Sequence, residues 1–580
     1  MSATIDTEQF KAFFPGSVVH DVSGRAFPVK HKYLQQPVLQ LDMVDAVVRT
    51  IMQAHLVERS GDILVFVAGV LHITRIIRKI EAIMNGDPNT NTVSMYDPED
   101  VGELHCYPLF SEQSQGEQNK TIQSVAPPNR SGKHSRKVIV ATNIAETSVT
   151  LPGVTIVIDS LLSKVRVVNP ESESNGLFMM WVSQSVAKQR SGRAGRVRPG
   201  TCYRMCTYDG FHSGLAKHTV PDILNCDMVE ECLSILQMGL NPINFPYMSA
   251  PATETIVKAL GVLLSIGAIQ FESRLTITPR GEAYSRLPVD LASALMIFES
   301  TRFNCQDEIL AIVAMMSATN NGTNLFIKSQ SKEDQASIKE TRIDFGLNCG
   351  DHIMLLNIYL AWRDACISQT SGQFLIAKLL NGNALRAADE VRLNLLTHLV
   401  GKNDRKGACA DLWAETAGNT PRDDPCYYTQ VLSALAAGNF MRVAKRVPGP
   451  GNTEPRSDAW ETVRTAHHAT PAREGCCPSP GSDWIIYNEF STASHNELRL
   501  ITPIPLDVMI EAFPTAWCEY NLTGYGHVST SIVETLMRMT NCTEDFVRRA
   551  MLANPHQREE PTTTEPAVPS TPSEPTNTTH

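Results

Sequence analysis

The chain has 580 residues, of which 42% are hydrophobic and 19% are charged, and it carries a net charge of −10 at pH 7. That length is too great for one hydrophobic core, so we expect several globular domains, and apolar runs such as ILVFVAGVL are too short to span a bilayer. The acidic balance excludes a protein whose whole surface is basic for binding nucleic acid. A local basic channel is compatible with it, because only the phosphates that are contacted need to be neutralised.

Fourteen cysteines are scattered along the chain without any CxxC spacing. The one close pair is Cys476-Cys477, which we interpret as two free thiols in a loop. This pattern favours a reducing intracellular compartment and gives no zinc site.

The first third of the chain alternates between helical and strand patterns. Residues 43–56 (MVDAVVRTIMQAHL) place their apolar side chains on one helical face. GDILVF, KVIVAT and TIVIDS are short runs that are apolar on both faces, which is typical of buried parallel strands. We therefore predict an α/β domain built on a parallel sheet.

The hydrophobic pattern of the sequence changes twice in the remaining chain. From about Val220, long segments with helical apolar spacing dominate, so the middle third is predicted to be mostly helical. Beyond about Gly407, WIIYNEF and ELRLITPI predict two strands of a small β domain. The last stretch, QREEPTTTEPAVPSTPSEPTNTTH, is rich in Pro, Thr and Glu and is predicted to be a disordered tail.

The string QRSGRAGRVRPG (residues 189–200) contains arginines at every third position, Arg190, Arg193 and Arg196. On a helix or at a helical turn, this spacing predicts one stripe of guanidinium groups, and Gly192 and Gly195 between them let a backbone or a ligand approach closely. Guanidinium forks suit phosphate oxygens. A solvated basic turn is the alternative for an isolated RxGR, but the whole string favours phosphate chemistry.

A second polar segment, KVIVATNIAETSVTLPGV, follows a predicted buried strand. The loop that leaves the strand offers hydroxyls, an amide and a carboxylate at Thr142, Asn143, Glu146, Thr147 and Ser148. Ligands of α/β domains bind at the carboxyl edge of the sheet, so this loop is a candidate binding segment. Capping of a helix by Thr142 or Asn143 is the alternative interpretation, and the two are compatible.

These segments, in this order after GDILVF, resemble motifs IV, V and VI of superfamily 2 helicases, and ATNIAETS with QRSGRAGR resembles the DEAH-box/RNA helicase A-like family. The opening SAT resembles motif III, so the chain looks like a family member entered at that motif. Later segments resemble the rest of the family's architecture. The implied order is a remnant of a first RecA-like domain (1–28), a second RecA-like domain (29–215), a winged-helix domain (216–290), a helical ratchet domain (291–406), an OB-fold-like region (407–553) and a disordered tail (554–580).

The resemblance implies roles for the arginine segment and for the start of the chain. Gln189, Arg193 and Arg196 would contact the ATP phosphates, with the two arginines as catalytic fingers across a domain cleft. Ser148 would lie near the nucleotide. The residues implied to couple hydrolysis to unwinding are Ser2, Ala3 and Thr4.

The resemblance also implies an RNA path. Thr142 and Asn143 would touch the RNA backbone, together with Gly69 and Thr147. Residues 164–181 would form a β-hairpin that wedges against the bound strand. The OB-like and winged-helix regions would offer a docking place for an activator protein, and no membrane contact is expected.

Some positions depart from the family pattern. Val70-Leu71-His72 replaces a common Gln-Glu-Glu, Gln123 stands where an adenine-stacking aromatic is frequent, and Pro152 replaces an acidic residue near the ribose. This sequence also contains no GxxxxGK[ST] loop and no DEAH, which supply the phosphate cradle and the Mg²⁺ ligands. ATP and Mg²⁺ are therefore expected for a complete enzyme, with no metal ligand assigned in this chain.

Three hypotheses follow for function. The chain is the C-terminal part of an ATP-dependent RNA helicase, inactive alone; or it is a non-catalytic RNA-binding or scaffold protein derived from one; or it is one half of a split enzyme. Each predicts RNA as a partner and an intracellular location, nuclear or cytoplasmic, with mitochondria left open. Whether this chain is itself an enzyme is left undecided by its sequence.

Overall fold

The structure of the chain is a computed structural model. It describes residues 6–20, 27–58, 60–85, 103–111, 113, 115–126, 135–147, 149–169, 174–327, 331–347, 349–402, 405–406, 421–448, 455–463, 467–472, 483–491, 496–513 and 530–551.

The first domain is built on a six-stranded, fully parallel sheet, as predicted. Its strand order is β1-β8-β5-β2-β4-β3. Ile63 and Val65 of β2 face one hydrophobic core and Leu64 and Phe66 face the other, so this central strand is buried on both sides. The strands of the sheet are β1 (Val29–Tyr33), β2 (Asp62–Phe66), β3 (Glu103–Leu109), β4 (Ser135–Ala141), β5 (Val154–Asp159) and β8 (Gly200–Arg204).

Helices cover both faces of the sheet. The apolar residues of α2 and α3 fill one core, and the predicted helix over residues 43–56 is α2. The helices before residue 213 are α1 (Thr7–Phe13), α2 (Met43–Val57), α3 (Val70–Met84), α4 (Gln115–Gln123), α5 (Ile144–Thr147), α6 (Gln184–Gly192) and α7 (Tyr208–His212), with 3₁₀ turns at Gln40–Asp42 and Arg193–Gly195.

The predicted hairpin is present as β6 (Leu162–Asn169) and β7 (Ser174–Trp181), paired antiparallel from Leu162–Trp181 to Asn169–Ser174. It leaves the carboxyl edge of the sheet, directly after β5. At its far end Asn175 pairs with Ser491 of the C-terminal β domain. The hairpin therefore joins two parts of the chain into one seven-stranded sheet.

The middle of the chain is helical, as predicted, and has one extended apolar core. A short antiparallel pair, β9 (Ile269–Phe271) and β10 (Leu275–Ile277), forms a wing between α9 and α10. The elements here are a 3₁₀ turn (Asp222–Leu224), α8 (Val229–Gln237), α9 (Thr253–Ser265), α10 (Pro279–Arg286), α11 (Leu291–Glu299), α12 (Gln306–Thr319), α13 (Lys332–Gly346), α14 (Asp351–Ile367), α15 (Ser371–Ala377), α16 (Gly382–Val400) and the pair β11 (Gly401–Lys402) and β12 (Arg405–Lys406).

The C-terminal β domain is a closed five-stranded barrel of the OB-like kind. Its order is β13-β14-β15-β17-β16, and pairing of β13 with β16 closes the ring. The predicted strands WIIYNEF and ELRLITPI are β16 and β17. The elements are α17 (Tyr427–Gly438), β13 (Val443–Pro448), β14 (Pro455–Thr462), β15 (His468–Pro471), β16 (Trp484–Ser491), β17 (Glu497–Pro503), α18 (Leu506–Ala512), α19 (Thr530–Thr540) and α20 (Glu544–Met551).

The predicted fold class is thus confirmed from the RecA-like sheet through the helical region to the barrel. The domain boundaries stay predictions, and the predicted tail at 554–580 lies outside the described residues. Among the helices that the structure describes, none is long and apolar enough to cross a membrane. The same residues contain no group of three His, Cys, Asp or Glu side chains placed to hold a metal ion.

Candidate functional site

The polar loop after β4 lies at the carboxyl edge of the sheet, where the sequence placed it. The Thr142 N–H donates to the Leu109 carbonyl at 3.1 Å, which holds the loop against β3. Its carbonyl then accepts from Ala145 N–H at 3.4 Å as the chain enters α5. Thr142 is partly exposed and the Asn143 side chain is exposed. Both side chains are therefore accessible to a ligand at this edge.

Arg190 does not belong to an exposed stripe; this part of the prediction is wrong. Its side chain is 1% exposed and lies inside the domain. Nε donates to Glu146 Oε2 at 3.2 Å, and Nη1 donates to Asp159 Oδ1 at 3.0 Å and to the Leu162 carbonyl. The guanidinium also lies 5.0 Å from the centroid of the Phe66 ring. Arg190 therefore binds carboxylates and stabilises the domain.

Arg193 is also buried, but its partners carry no charge. Nη1 donates to the Val149 carbonyl at 2.9 Å, and Nη2 donates to the Glu146 carbonyl. The Glu146 carboxylate is already bound by Arg190. Burial, and then the charge of Arg196, lower the pKa of Arg193 to about 10. The side chain stays cationic at pH 7, and in the described part of the chain it forms no ion pair.

The neighbours of Arg193 differ in exposure. Arg196 is exposed, and its Nη1 donates to Thr150 Oγ1 at 3.4 Å. Gln189 is partly exposed on α6, one residue before the buried Arg190. Arg193 and Arg196 thus both contact the segment that follows the loop of Thr142, so the two predicted binding segments come together.

The glycines of the arginine segment have different surroundings. A Cβ on Gly195 would lie 2.5 Å from the Phe27 carbonyl oxygen, and the Phe27 N–H donates to the Gly195 carbonyl. The close backbone approach predicted for these glycines is therefore present at Gly195. At Gly192 a Cβ would meet nothing within 4 Å.

We expect Gly195→Ala to lower the stability of the RecA-like domain by about 1–3 kcal/mol, because the added methyl group has no room. Gly192→Ala is the matched control. Gly192 has helical φ and ψ of −59° and −17° and open space around it, so alanine there is expected to be neutral or stabilising by about 0.4–1 kcal/mol. The urea dependence of hydrogen exchange at β5 amides measures both; equal effects would contradict the packing argument.

Comparisons with known proteins add to this geometry. Residues 46–198 match the Helicase conserved C-terminal domain, and residues 292–355 match the Helicase associated domain (HA2), ratchet-like. The chain is 29% identical over 517 residues to the pre-mRNA-splicing factor ATP-dependent RNA helicase prp22 of Schizosaccharomyces pombe. That alignment covers 89% of this chain and 40% of the relative. These matches make the chain similar to the C-terminal portion of DEAH-type RNA helicases of superfamily 2. It spans about two-fifths of the length of this curated relative.

The first turn of α3 holds Val70, Leu71 and His72. Gly69 caps the helix without a side-chain hydrogen bond, and no acidic residue lies in the first turn. A Cβ on Gly69 would lie 3.1 Å from Cε of Lys164, which comes from the hairpin. Burial, followed by the charges of Arg75 and Lys164, lowers the pKa of His72. The exposed side chains of this turn, Val70 and Leu71, are apolar.

Other predicted residues of the helicase site are described only in part. Ser2, Ala3, Thr4 and Ser148 lie outside the described residues, and Thr147 is described only as the last residue of α5. Gln123 at the end of α4 and Pro152 before β5 are exposed. Their predicted effects on nucleotide binding stay predictions.

Sequence reasoning named Glu146 only as a polar residue of the loop and missed Asp159, and these two acids together bind Arg190. Burial raises the pKa of the Glu146 carboxyl, while the adjacent Arg190 opposes that rise. Asp159 ends the apolar strand TIVID and is 1% exposed. A carboxylate at the end of a fully buried strand is rarely tolerated without a cation, and this signal pointed to an arginine partner.

Proposed function

We propose that the chain is the C-terminal part of an ATP-dependent RNA helicase that couples nucleotide hydrolysis to movement along RNA or to its unwinding. The nucleotide phosphates are contacted by Gln189, Arg193 and Arg196, with Ser148 nearby. The RNA backbone is contacted by Gly69, Thr142, Asn143 and Thr147. Coupling of nucleotide hydrolysis to movement along RNA is assigned to Ser2, Ala3 and Thr4.

The observation that carries this proposal is the state of Arg193. The hydrogen bonds of this buried guanidinium go to carbonyl oxygens, and the nearby Glu146 carboxylate that offsets its charge is already bound by Arg190. An approaching phosphate would add a negative charge of its own, and two phosphate oxygens match the planar guanidinium fork. Arg190 is paired with two carboxylates, Glu146 and Asp159, so its charge is offset without a phosphate.

The second support is the contact between the nucleotide and RNA segments. The Glu146 carboxylate accepts a hydrogen bond from Arg190, and the Glu146 carbonyl accepts one from Arg193. A shift of Arg193 towards a phosphate therefore releases the end of the loop that begins at Thr142. This provides a physical link between the two proposed sites.

ATP and Mg²⁺ are assigned to the complete enzyme. The residues of this chain fit the phosphate end of a nucleotide, since Arg193 is a cation that shares the Glu146 carboxylate with Arg190. Bound ATP would supply the phosphoryl group whose developing charge arginines stabilise. The Mg²⁺ ligands and the phosphate-cradling loop do not occur in this sequence. An activator protein at the barrel or winged-helix region stays part of the proposal, as does a nuclear location, which prp22's role as a splicing factor supports.

Single-stranded RNA binding tests the proposed backbone contacts. We expect Asn143→Ala to weaken binding of a uridine oligomer by the purified chain about tenfold, because a hydrogen bond to a charged phosphate oxygen is lost. Asn244→Ala, which removes another exposed amide far from the sheet edge in sequence, is the control. Filter binding or fluorescence anisotropy at two salt concentrations gives the result. Equal affinities of the two variants would overturn the assignment.

Hydrolysis separates the helicase proposal from its alternative. Because the sequence lacks a phosphate-cradling loop, residues 1–580 are expected to show no RNA-stimulated ATP hydrolysis above background. The same absence favours the second candidate function, a non-catalytic RNA-binding protein derived from a helicase. Hydrolysis that appears only when a separate P-loop-bearing lobe is added would support the helicase proposal. Clear turnover by the chain alone would contradict the missing-site argument.

A further inference from the structure

The junction between the helical region and the barrel is made by the amino end of α14. Gly350, Asp351 and His352, which we call the latch, insert against β17 at Ile501 and Thr502. The two partners are separated by 150 residues in sequence. The side chains involved are almost fully inaccessible, with Asp351 at 2% and His352 and Thr502 at 0% exposure.

The backbone at Gly350 admits no other residue. Its φ is +102°, a conformation that side-chain-bearing residues rarely adopt. A Cβ there would lie 2.6 Å from Cα of Thr502 and 2.6 Å from its Oγ1. The helix therefore approaches the barrel strand at backbone contact distance.

Directional hydrogen bonds fix this contact. The Ile501 N–H donates to Asp351 Oδ2 at 2.9 Å. The His352 N–H donates to Thr502 Oγ1 at 3.3 Å, and His352 Nδ1 lies 2.8 Å from the same oxygen. Apolar faces slide past one another at low cost, whereas buried hydrogen bonds define one register. The contact between α14 and β17 is of the hydrogen-bonded kind and therefore has one register.

The barrel strand is deformed where the latch meets it. Leu500 has φ of +52°, which is strained for a leucine. Its side chain belongs to the core of the helical region, whereas Leu498 and Ile501 belong to the barrel core. This left-handed backbone turns one side chain of β17 out of the barrel and into the helices, while the pairing of β17 with β16 keeps its register on both sides of Leu500.

The barrel is also tied to the RecA-like domain on another strand. Ser491 of β16 pairs with Asn175 at the far end of the hairpin. β16 and β17 are antiparallel neighbours, and their register places Ser491 opposite Glu497. The barrel therefore lies between the hairpin and α14, with a hydrogen-bonded contact to each.

We propose that the latch and the left-handed backbone at Leu500 lock the barrel onto α14, so that displacement of the hairpin is transmitted through the barrel to the ratchet helices. Gly350 permits the approach, and Asp351 and His352 are positioning residues that hold β17. The transmission to RNA rests on the proposed function; the lock itself does not. An ordinary domain contact would let the barrel and α14 open independently.

Thr502→Val tests the lock, because it removes the shared hydroxyl and keeps the shape of the side chain. Thr462→Val is the matched control: Thr462 is equally buried, but its hydroxyl accepts from the His467 N–H inside the barrel. We expect Thr502→Val to raise hydrogen exchange about tenfold in peptides at both 351–356 and 498–504. Thr462→Val is expected to raise exchange only in the barrel. Unchanged exchange at 351–356 in Thr502→Val, or equal changes there in both variants, would overturn the lock.

Salt-dependent RNA binding tests the transmission. If the lock holds the barrel and the ratchet helices in one register, its release is expected to lower the number of RNA phosphates that the two parts contact at the same time. The slope of log affinity against log salt is then expected to fall by about one for Thr502→Val and to stay unchanged for Thr462→Val. A latch that opens in the exchange experiment without change in slope would refute the transmission. Absence of RNA binding by the unmodified chain would instead refute the proposed function and leave the exchange result standing.

Gly350→Ala provides a second, stronger variant. Its methyl group collides with the Thr502 backbone, so the barrel has to move away from α14. The expected pattern of exchange is that of Thr502→Val with a larger amplitude. An alanine variant with native exchange on both sides would show that the junction is slack and would contradict the proposal.

Discussion

Replacement of Arg190 by alanine is expected to lower the free energy of unfolding of the RecA-like domain by about 3–5 kcal/mol. The loss leaves two carboxylates, Glu146 and Asp159, inside the domain without their cation. Asp159 Oδ2 already has no hydrogen-bond partner in the described part of the chain, and its Oδ1 would keep the neutral Leu161 N–H as a donor but lose its cation. Removal of one partner from a buried ionic group is more damaging than removal of the whole group.

Arg196→Ala is the control for this prediction. Arg196 is exposed and makes one weak side-chain contact, to Thr150, so its loss is expected to change stability by less than about 0.5 kcal/mol. Arg190→Lys is expected to fall between the two, because lysine keeps the charge but cannot reach both carboxylates as a fork. Urea titration followed by hydrogen exchange of β5 amides measures the three variants. A loss below about 1 kcal/mol for Arg190→Ala would mean that the buried carboxylates are neutral.

The parallel sheet was predictable because its strands are apolar on both faces. ILVF and VIVA, which become β2 and β4, have no polar face to show to solvent, and only a sheet covered by helices on both sides buries such strands. The closed barrel was less accessible to sequence reasoning. Only β16 and β17 carried a strand pattern. The pairing of β13 with β16 that closes the ring joins residues 39 to 43 positions apart, from Lys445 with Trp484 to Val443 with Ile486.

The arginine segment shows where spacing ceases to predict environment. Arginines at every third position suggest one common face, but α6 ends at Gly192 and a 3₁₀ turn begins at Arg193. The rotation per residue changes at that point, so Arg190 points to the carboxylates and Arg193 to the loop carbonyls. The spacing did not tell that Arg190 is buried against two carboxylates while Arg193 donates to carbonyl oxygens.

The latch was visible in sequence only as part of a signature. GDHIMLLNIYLAWRDA predicted a helix of the ratchet domain, and that helix is α14. Nothing in those letters indicates that Asp351 and His352 bind a barrel strand, because their partners are far along the chain and carry no complementary charge. Long-range polar contacts of this kind depend on how the domains pack, which local patterns do not encode.

Acidification is expected to destabilise the part of the chain that contains His352. Burial lowers the pKa of this side chain to about 3 in the folded protein, against about 6.5 in the unfolded chain. Between these values the unfolded state binds a proton that the folded state does not. Stability is therefore full above pH 6.5 and falls by about 1.4 kcal/mol for each pH unit below it.

His352→Asn isolates this contribution, since an asparagine oxygen or nitrogen can take the place of Nδ1 beside Thr502 but does not titrate. Between pH 7.5 and pH 5 the free energy of unfolding of the unmodified chain is expected to fall by about 2 kcal/mol more than that of the variant. The reason is that about 1.5 pH units lie below 6.5 in this range, at about 1.4 kcal/mol for each unit. All other titrating groups act equally in both proteins and cancel. The measurement is hydrogen exchange at 351–356 as a function of urea at each pH, corrected for intrinsic exchange rates. Parallel pH profiles would show that His352 titrates alike in the folded and unfolded chain, and the buried Nε2 would then need a partner that the described residues do not provide.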